Sequence, residues 1–272
     1  MGIVEMVEAP AAGPSAAQSL AQLLFVIPAF NEEENLPTLF ADLAEVRDLL
    51  GAGSRIFVVD DGSTDSTAAL VASYAGDLPV ELVRLAVNEG PGAAFRSGFQ
   101  VALECADPDA LIVTLESDAT SDLGALRTML GEIRRGADVV LADWQMIGVS
   151  AHRRLLSAAA GWIVRRGLGL QATTVSSFFR VYRASTLRQA SSRFGDELIR
   201  EPGFACKAEL LGKLSSLGAR IVEVPVALDW TRRRGESKMP VFRTMLAYWR
   251  MLLRERATPE SVPSTPEGAL GA

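Results

Sequence analysis

The sequence predicts an α/β protein with a mostly parallel sheet flanked by helices. Short apolar segments alternate with longer amphipathic segments through the first half of the chain, as in βαβ units. Acidic residues directly follow three of the apolar segments, which places them at the carboxyl edge of a parallel sheet, where ligands bind in such folds. The chain of 272 residues, 49% of them hydrophobic, is long enough for one domain of this class.

The predicted elements follow from hydrophobic periodicity. In the first half, strands are predicted near 23–28, 55–60, 80–85, 110–115 and 137–142. The helices between them are predicted near 32–50, 64–75, 91–105 and 121–135. The less regular second half predicts, in chain order, helix 152–168, strand 175–182, helix 203–217, strand 219–228 and helix 240–256.

The chain divides into a central domain and two tails. Residues 1–21 and 257–272 are rich in Ala, Pro, Gly and Ser and are predicted to be disordered. The domain is predicted over 22–242, followed by an amphipathic helix over 243–256. No apolar segment approaches about eighteen residues, so no transmembrane helix is expected. The first tail lacks the basic and apolar regions of a signal peptide.

Composition argues against several classes of function. The formal net charge of −6 argues against duplex nucleic acid as a partner. Two cysteines without metal-ligand spacing exclude a disulfide framework and favour the cytoplasm. The only histidine, His152, is interpreted as an ordinary surface or helix-start residue, so neither a histidine-based triad nor a multi-histidine metal site is available.

Polar residues at the ends of the first two strands indicate a ligand site. Asp60 and Asp61 end the second strand, and adjacent carboxylates after a buried strand are costly unless something is bound or bonded there. A plain strand–turn–helix connection would also explain them. After the first strand, Asn31 and Glu34 have the pattern of a capping box, with Glu32 between them at the same edge.

The most informative stretch is the acidic pair Glu116 and Asp118 after the fourth strand. In an extended chain, residues i and i+2 point to the same side, so both carboxylates could face one small volume. Hard oxygen ligands suit Mg²⁺ or Mn²⁺, and these cations in turn suit a diphosphate. A solvated acidic turn is the alternative interpretation of this pair alone.

A glycine-rich segment opens the third helix. The segment Asn88–Ala94 contains Gly90 and Gly92. Small residues let a ligand or another backbone approach closely, and a helix N-terminus attracts anions. The segment therefore predicts either a phosphate or sugar contact or a simple turn into a helix.

Taken together, these segments resemble glycosyltransferase family 2, and within it the polyprenyl-phosphate glycosyltransferases such as the dolichol-phosphate mannosyltransferases. The resemblance covers about residues 23–242. It is carried by the segments Phe25–Glu33, Val59–Asp65, Asn88–Ala94, Glu116–Asp118, Ser177–Tyr182, Glu223–Val226 and Arg232–Lys238. Glu116 stands where the family has the first Asp of D-x-D, and Phe178 where it has the Gly of S-G-F-R.

The resemblance implies the GT-A fold, a Rossmann-like fold of nucleotide-diphospho-sugar transferases. By position it implies Mg²⁺ or Mn²⁺ as cofactor, with Asp118 as the main metal ligand and Glu116 in support. Arg232 and Lys238 would bind a phosphate of the acceptor or donor and act in catalysis with Asp118, which suits a guanidinium and an ammonium on a Gly-Ser loop. The nucleotide would be held by Pro28, Ala29, Glu32, Asp60, Asp61 and Gly90.

The implied activity is inverting transfer of a hexose, with mannose favoured, from GDP-mannose or a UDP-hexose to polyprenyl phosphate. An acceptor phosphate is ionised at neutral pH and needs no strong general base. Two alternatives stay open: a transferase of specialised metabolism with a soluble acceptor, and a non-catalytic nucleotide-sugar-binding subunit. A hydroxyl acceptor would need a carboxylate base, for which the candidates are Asp196, Glu197, Glu201 and Glu209.

Two segments combine apolar residues with arginines. The last helix carries Trp249 and Leu253 beside Arg250 and Arg254, and the segment 153–168 has the same character. Basic amphipathic helices with Trp can lie in an anionic membrane interface, although core packing with a solvated face explains the same pattern. The sequence is compatible with a cytoplasmic protein at the inner face of a membrane, placed on the lipid itself or on a membrane subunit.

Overall fold

The structure is a computed structural model that describes residues 20–74, 76, 78–145, 166, 174, 177–235 and 241–257. The strands in these ranges are β1 Leu23–Ala29, β2 Arg55–Asp60, β3 Val80–Arg84, β4 Leu111–Thr114, β5 Val139–Gln145, β6 Arg180–Arg183 and β7 Ile221–Ala227. The α-helices are α1 Leu36–Glu45, α2 Thr67–Ala72, α3 Pro91–Glu104, α4 Leu126–Arg134, α5 Ala184–Phe194, α6 Cys206–Ser216 and α7 Val241–Ala257. Short 3₁₀ helices lie at Arg47–Leu49, Leu123–Ala125, Gly195–Leu198 and Trp230–Arg232. The predicted helix at 152–168, apart from residue 166, and almost all of the two predicted tails lie outside the described residues.

The strands form one seven-stranded sheet, in the order β3-β2-β1-β4-β6-β5-β7. The pairs β1–β2, β1–β4, β2–β3 and β5–β7 are parallel, whereas β6 runs antiparallel to both β4 and β5. The register pairs Ala29 with Asp60 and Val26 with Thr114, so β1, β2 and β4 end near one another. The predicted α/β fold with a mostly parallel sheet is confirmed.

Both faces of the central strands β1, β2 and β4 are buried, as is usual in a mostly parallel sheet. In β1, Leu23, Phe25 and Ile27 belong to a core that includes residues of α1 and α4. Leu24 and Val26 belong to a second core that includes residues of α3 and α6. This division follows from the alternation of side chains along a strand, and it leaves the strand ends as the place where polar residues can gather.

The start of α1 differs from the sequence-based expectation. The helix begins at Leu36, because Asn31 adopts a positive φ of 53° and its side-chain oxygen accepts a hydrogen bond from the N–H of Thr64. The capping box of Asn31 with Glu34 is therefore wrong. Asn31 instead joins the turn after β1 to the turn after β2, which brings the two strand ends together.

Sequence periodicity does not predict α5. Only one of its four buried residues, Leu187, has a large apolar side chain, so its apolar face is small, and no side chain caps its first turn. The helix is stabilised by tertiary packing, since its buried residues Leu187 and Ala190 belong to the same core as α6. Packing against neighbouring elements thus stabilises a helix that the weak local sequence signals do not predict.

The last described element, α7, is amphipathic as predicted. Its residue Met251 is buried, and Tyr248 packs against the core that includes α3 and α6. Its large apolar residues on the outer side are exposed, namely Met245, Leu246, Trp249 and Leu253. Among the described helices, α7 included, none is long and apolar enough to cross a membrane.

Candidate active site

The candidate site lies at the edge of the sheet where β1, β2 and β4 end. Pro28 and Ala29 are the last residues of β1, and the carbonyl of Ala29 accepts a hydrogen bond of 2.8 Å from the N–H of Asp61. Asp60 ends β2 and is paired with Ala29 in the sheet. The register of two parallel strands thus brings four of the predicted nucleotide-binding residues together.

Asp60 is fully buried and supports the turn after β2. One carboxylate oxygen accepts a hydrogen bond from the N–H of Ser63 at 2.9 Å, and the other lies 3.3 Å from Nε of Arg84 in the geometry of an ion pair. A buried carboxylate is tolerated here because it is bonded and paired. Direct contact between Asp60 and a nucleoside stays a prediction.

Asp61 connects β2 to the glycine-rich segment. Its two carboxylate oxygens accept hydrogen bonds from the backbone N–H groups of Glu89 at 2.9 Å and of Gly90 at 2.8 Å. Burial raises the pKa of Asp61, and the two N–H groups oppose this shift because they stabilise the charged form. The amide of Gly90 is therefore used to orient Asp61.

Gly90 and Gly92 are required by the close approach of another backbone. A Cβ atom on Gly92 would lie 2.0 Å from the carbonyl oxygen of Glu201, and one on Gly90 would lie 2.4 Å from that of Pro202. The N–H of Gly92 donates to the carbonyl of Pro202 at 2.8 Å. These two glycines therefore let a second backbone pack against the first turn of α3, and a phosphate or sugar contact of the segment stays a prediction.

Glu32 and Asn35 attach the end of β1 to a loop after β7, here called the basic loop, residues Arg232–Gly235. Glu32 accepts a hydrogen bond of 2.6 Å from the side-chain amide of Asn35. The oxygen of Asn35 accepts from the N–H of Arg234 at 2.9 Å, and its amide group donates to the carbonyl of Arg234 at 3.2 Å. Glu32 therefore supports the basic loop through Asn35, a residue to which the sequence assigned no role.

Glu116 and Asp118, beyond the end of β4, each accept hydrogen bonds from neutral donors. Glu116 accepts hydrogen bonds from the N–H of Phe178 at 2.9 Å and from the hydroxyl of Ser121 at 3.1 Å. Asp118 accepts one from the hydroxyl of Thr120 at 2.7 Å. Burial, followed by the nearby charge of Asp118, raises the pKa of Glu116 to about 7. The charge of Asp118 therefore acts on Glu116 at the same edge of the sheet.

A buried lysine, Lys207 of α6, interacts with Glu116. Its charge opposes the rise in the pKa of Glu116, and burial lowers the pKa of Lys207 itself to about 8. Its ammonium lies 3.9 Å from the centroid of the Phe178 ring, which also packs against Phe95. Phe178, which replaces a family glycine, thus bonds Glu116 through its backbone and covers Lys207 with its ring. Sequence reasoning missed Lys207, because a lysine within an apolar helix gives no sign of its partner.

The basic loop brings Arg233, and not Arg232, to the acidic pair. Nη1 of Arg233 lies 3.1 Å from Oδ2 of Asp118, and both side chains are largely buried. Arg232 is paired with Asp42 of α1 at 2.7 Å, and this hydrogen bond raises the pKa of the Arg232 guanidinium. The phosphate contact of Arg232 stays a prediction, and Lys238 lies outside the described residues. Sequence reasoning missed Arg233, because three consecutive arginines do not show which one faces the site.

The donor set at the acidic pair fits Mg²⁺ or Mn²⁺. Asp118 and Glu116 offer hard carboxylate oxygens at the same edge of the sheet, beyond the end of β4. Within the described residues no group of three or more His, Cys, Asp or Glu side chains could hold a metal without other ligands. Mg²⁺ commonly uses one or two protein carboxylates together with substrate phosphates. The arrangement therefore suits a cation that is bound together with a diphosphate.

Two of the candidate general bases belong to a buried charge cluster, formed by Glu201, Glu209, Lys213 and Arg254. Glu209 accepts hydrogen bonds of 2.8 Å from the backbone N–H groups of Arg200 and Glu201. It is also paired with Lys213 at 2.8 Å and with Arg254 of α7 at 3.0 Å, and Glu201 is paired with Arg254 at 3.1 Å. Both carboxylates have structural partners, and the cluster attaches α7 to the segment that packs on Gly92.

Comparison with known proteins identifies similar enzymes. Residues 24–193 match the family described as Glycosyl transferase family 2. The chain is 31% identical over 224 residues to the undecaprenyl-phosphate mannosyltransferase of Micrococcus luteus. This match covers 80% of this chain and 87% of that protein. It is 27% identical over 233 residues to the polyprenol monophosphomannose synthase of Mycolicibacterium smegmatis, with 83% and 84% of the two chains covered.

A solved structure has the same fold. Glucosyl-3-phosphoglycerate synthase from Mycobacterium tuberculosis, in complex with Mn²⁺, UDP and glucosyl-3-phosphoglycerate, superposes with a TM-score of 0.64 at 20% identity. The match covers 89% of this chain and 82% of that one, and it confirms the GT-A fold. Since the family match spans more than half of the chain and a relative above 30% identity spans most of it, the chain belongs to glycosyl transferase family 2 and is a glycosyltransferase.

Proposed function

We propose that this enzyme transfers a hexose, with mannose favoured, from a nucleotide-diphosphate sugar to a polyprenyl phosphate, with inversion at the anomeric carbon. The observation that carries the proposal is the meeting of Asp118, Glu116 and Arg233 at the edge where β2 presents Asp61. Carboxylates that can bind a divalent cation, together with the guanidinium beside them, form a site for a diphosphate. The similar protein from Micrococcus luteus is named an undecaprenyl-phosphate mannosyltransferase, and that from Mycolicibacterium smegmatis a polyprenol monophosphomannose synthase. Both names support a lipid phosphate as the acceptor.

On the donor side, the residues at the ends of β1 and β2 hold the nucleotide, with Gly90 acting through Asp61. Asp118 is the main ligand of Mg²⁺ or Mn²⁺, and Glu116 supports it. When bound, the cation neutralises the charge that develops on the departing nucleoside diphosphate. Arg233 is close enough to Asp118 to share that task. The family resemblance implies the roles of Asp118, Glu116 and the nucleotide-binding residues, and the position of these side chains at one edge of the sheet supports them.

On the acceptor side, the attacking atom is an oxygen of the lipid phosphate. This oxygen is ionised at neutral pH, so no protein group has to remove a proton from it. The commitment of Glu201 and Glu209 to the charge cluster agrees with a reaction that needs no carboxylate base. Arg232 and Lys238 are proposed to bind the acceptor phosphate as fixed positive charges.

The test is a turnover assay of the purified full-length protein with GDP-mannose and UDP-hexoses, in Mg²⁺ or Mn²⁺, with and without polyprenyl phosphate. We expect nucleoside diphosphate release that depends on the lipid and stops when EDTA removes the cation. The product should be a lipid-linked hexose whose anomeric configuration, measured by NMR, is opposite to that of the donor. Transfer of the sugar only to soluble acceptors, or nucleoside diphosphate release that does not depend on the lipid, would refute the proposed acceptor.

The outward face of α7 supports contact of the enzyme with a membrane. Arg250 is exposed on this helix, and Arg254 joins it to the charge cluster beside the site. A basic amphipathic helix with an exposed Trp suits the interface of an anionic bilayer. The two cysteines are unpaired, which agrees with the cytoplasmic face. The apolar side chains on this face are 40–57% exposed, namely Met245, Leu246, Trp249 and Leu253.

Removal of two apolar side chains from this face should weaken membrane binding. The double variant Trp249→Ala, Leu253→Ala is expected to bind vesicles containing anionic lipid at least about tenfold less tightly, because each side chain loses apolar area that the interface would bury. Co-sedimentation with vesicles measures the effect. Leu20→Ala is the control, since Leu20 is also exposed but precedes β1 at the opposite edge of the sheet. Equal binding of the double variant and the control would contradict the membrane role of α7.

A further inference from the structure

The contact between Arg233 and Asp118 occupies the carboxylate that the proposed function assigns to the cation. Nη1 of Arg233 lies 3.1 Å from Oδ2 of Asp118, with 15% and 10% of the two side chains exposed. The other oxygen of Asp118 accepts the hydroxyl of Thr120 at 2.7 Å. A guanidinium and a divalent cation repel each other, so they compete for the same carboxylate oxygen.

The basic loop is fastened on both sides of Arg233. The preceding residue, Arg232, is paired with Asp42 at 2.7 Å. The backbone of the following residue, Arg234, is bonded to Asn35 at 2.9 Å and 3.2 Å. These contacts belong to the residues on either side, so none of them depends on the pairing of the Arg233 side chain with Asp118.

We propose that Arg233 is a resident counter-ion of Asp118, which a divalent cation must displace, and that the displaced guanidinium then pairs with the donor diphosphate. The inference rests on the proposed function, because it takes a metal–diphosphate as the ligand. Before binding, Arg233 neutralises and orients Asp118. A cation that arrives alone must displace the guanidinium from Asp118, whereas a cation accompanied by a diphosphate also offers the guanidinium a new anion. Cation and diphosphate binding are therefore cooperative.

Binding of Mn²⁺ alone and then of Mn²⁺ with GDP or UDP tests this proposal. In the donor-free protein, Arg233→Gln should bind Mn²⁺ about tenfold more tightly than wild type, measured by the EPR signal of free Mn²⁺. At saturating Mn²⁺, the same variant should bind the nucleoside diphosphate at least about tenfold less tightly, measured by calorimetry. Arg233→Lys, which keeps the charge, should lie between wild type and the Gln variant in both measurements.

Arg234→Gln is the matched control, because it removes the same charge from an exposed neighbour and should change both affinities less than about twofold. Thermal unfolding checks that each variant is folded, and Arg233→Met replaces the Gln variant if that one is not. The inference is overturned if the Arg233 variant binds Mn²⁺ no more tightly than the control. It is also overturned if no variant binds Mn²⁺. If Arg233→Gln binds Mn²⁺ more tightly but the wild-type enzyme shows no lipid-dependent turnover, only the proposed function is refuted. If the wild-type enzyme turns over but Arg233→Gln leaves the Mn²⁺ affinity unchanged, only the counter-ion role of Arg233 is refuted.

Discussion

Replacing Asp118 with Asn is expected to lower kcat/KM by about 10³-fold, the order of effect seen when one preorganised electrostatic group of an active site is removed. The substitution keeps the size of the side chain but removes the charge that faces Arg233 at 3.1 Å and that the proposed function assigns to the cation. A loss of this size corresponds to about 4 kcal/mol of transition-state stabilisation. Steady-state rates with Mg²⁺ or Mn²⁺ and a saturating lipid acceptor measure the change in kcat/KM.

The same strand supplies the control for this prediction. Asp109 is exposed and precedes β4, whereas Asp118 follows it, so Asp109→Asn makes the same chemical change at the opposite edge of the sheet. We expect the Asp109 variant to keep wild-type kcat/KM within about twofold, as surface substitutions away from a site usually do. An Asp118→Asn enzyme with more than about one third of wild-type activity would show that donor cleavage does not need this carboxylate.

Replacing Glu209 with Gln should destabilise the fold by about 3 kcal/mol. Glu209 is 1% exposed and forms ion pairs with Lys213 at 2.8 Å and with Arg254 at 3.0 Å. It also accepts hydrogen bonds from two backbone N–H groups. Removing its charge leaves the buried ammonium of Lys213 without its paired carboxylate and Arg254 with Glu201 alone. Removing one partner of a buried ion pair is more damaging than removing the whole pair. For a chain of this size the expected fall in Tm is roughly 6–12 °C.

Urea unfolding followed by circular dichroism measures the free energy of unfolding of this variant. Glu104→Gln is the matched control, because Glu104 is an exposed glutamate at the end of α3. Its free energy of unfolding should change by less than about 0.5 kcal/mol. If Glu209→Gln is as stable as this control, the charge cluster does not hold α7 to the domain in the way that the distances suggest.

The parts of the site that sequence reasoning anticipates are those that follow directly after strands. Asp60, Asp61, Glu116 and Asp118 are predictable because a buried parallel strand ends at a known edge, and polar residues just beyond it must meet there. This argument needs only local periodicity. It also yields the sheet itself, since the alternation of apolar and amphipathic segments permits few other arrangements.

The partners of these residues are not predictable in the same way. Asn35 and Arg234 are 199 positions apart in the chain, and Arg232 and Asp42 are 190 positions apart. Such pairs depend on how β7 and the loop after it are placed against α1, which no local pattern encodes. The contact of Arg233 with Asp118 likewise depends on the exact course of a loop, and a run of three arginines contains no signal that selects one of them.

The antiparallel direction of β6 determines where the chain leaves and re-enters the described sheet. Since β6 is antiparallel to β4 and β5, with Arg180 opposite both Thr114 and Leu141, β5 ends and β6 begins at the rim where β4 ends. The strand pairs that position Asp61 and Asp118 are made by β1, β2 and β4. The length of the chain between β5 and β6 can therefore change without altering the strand pairs that carry the acidic residues.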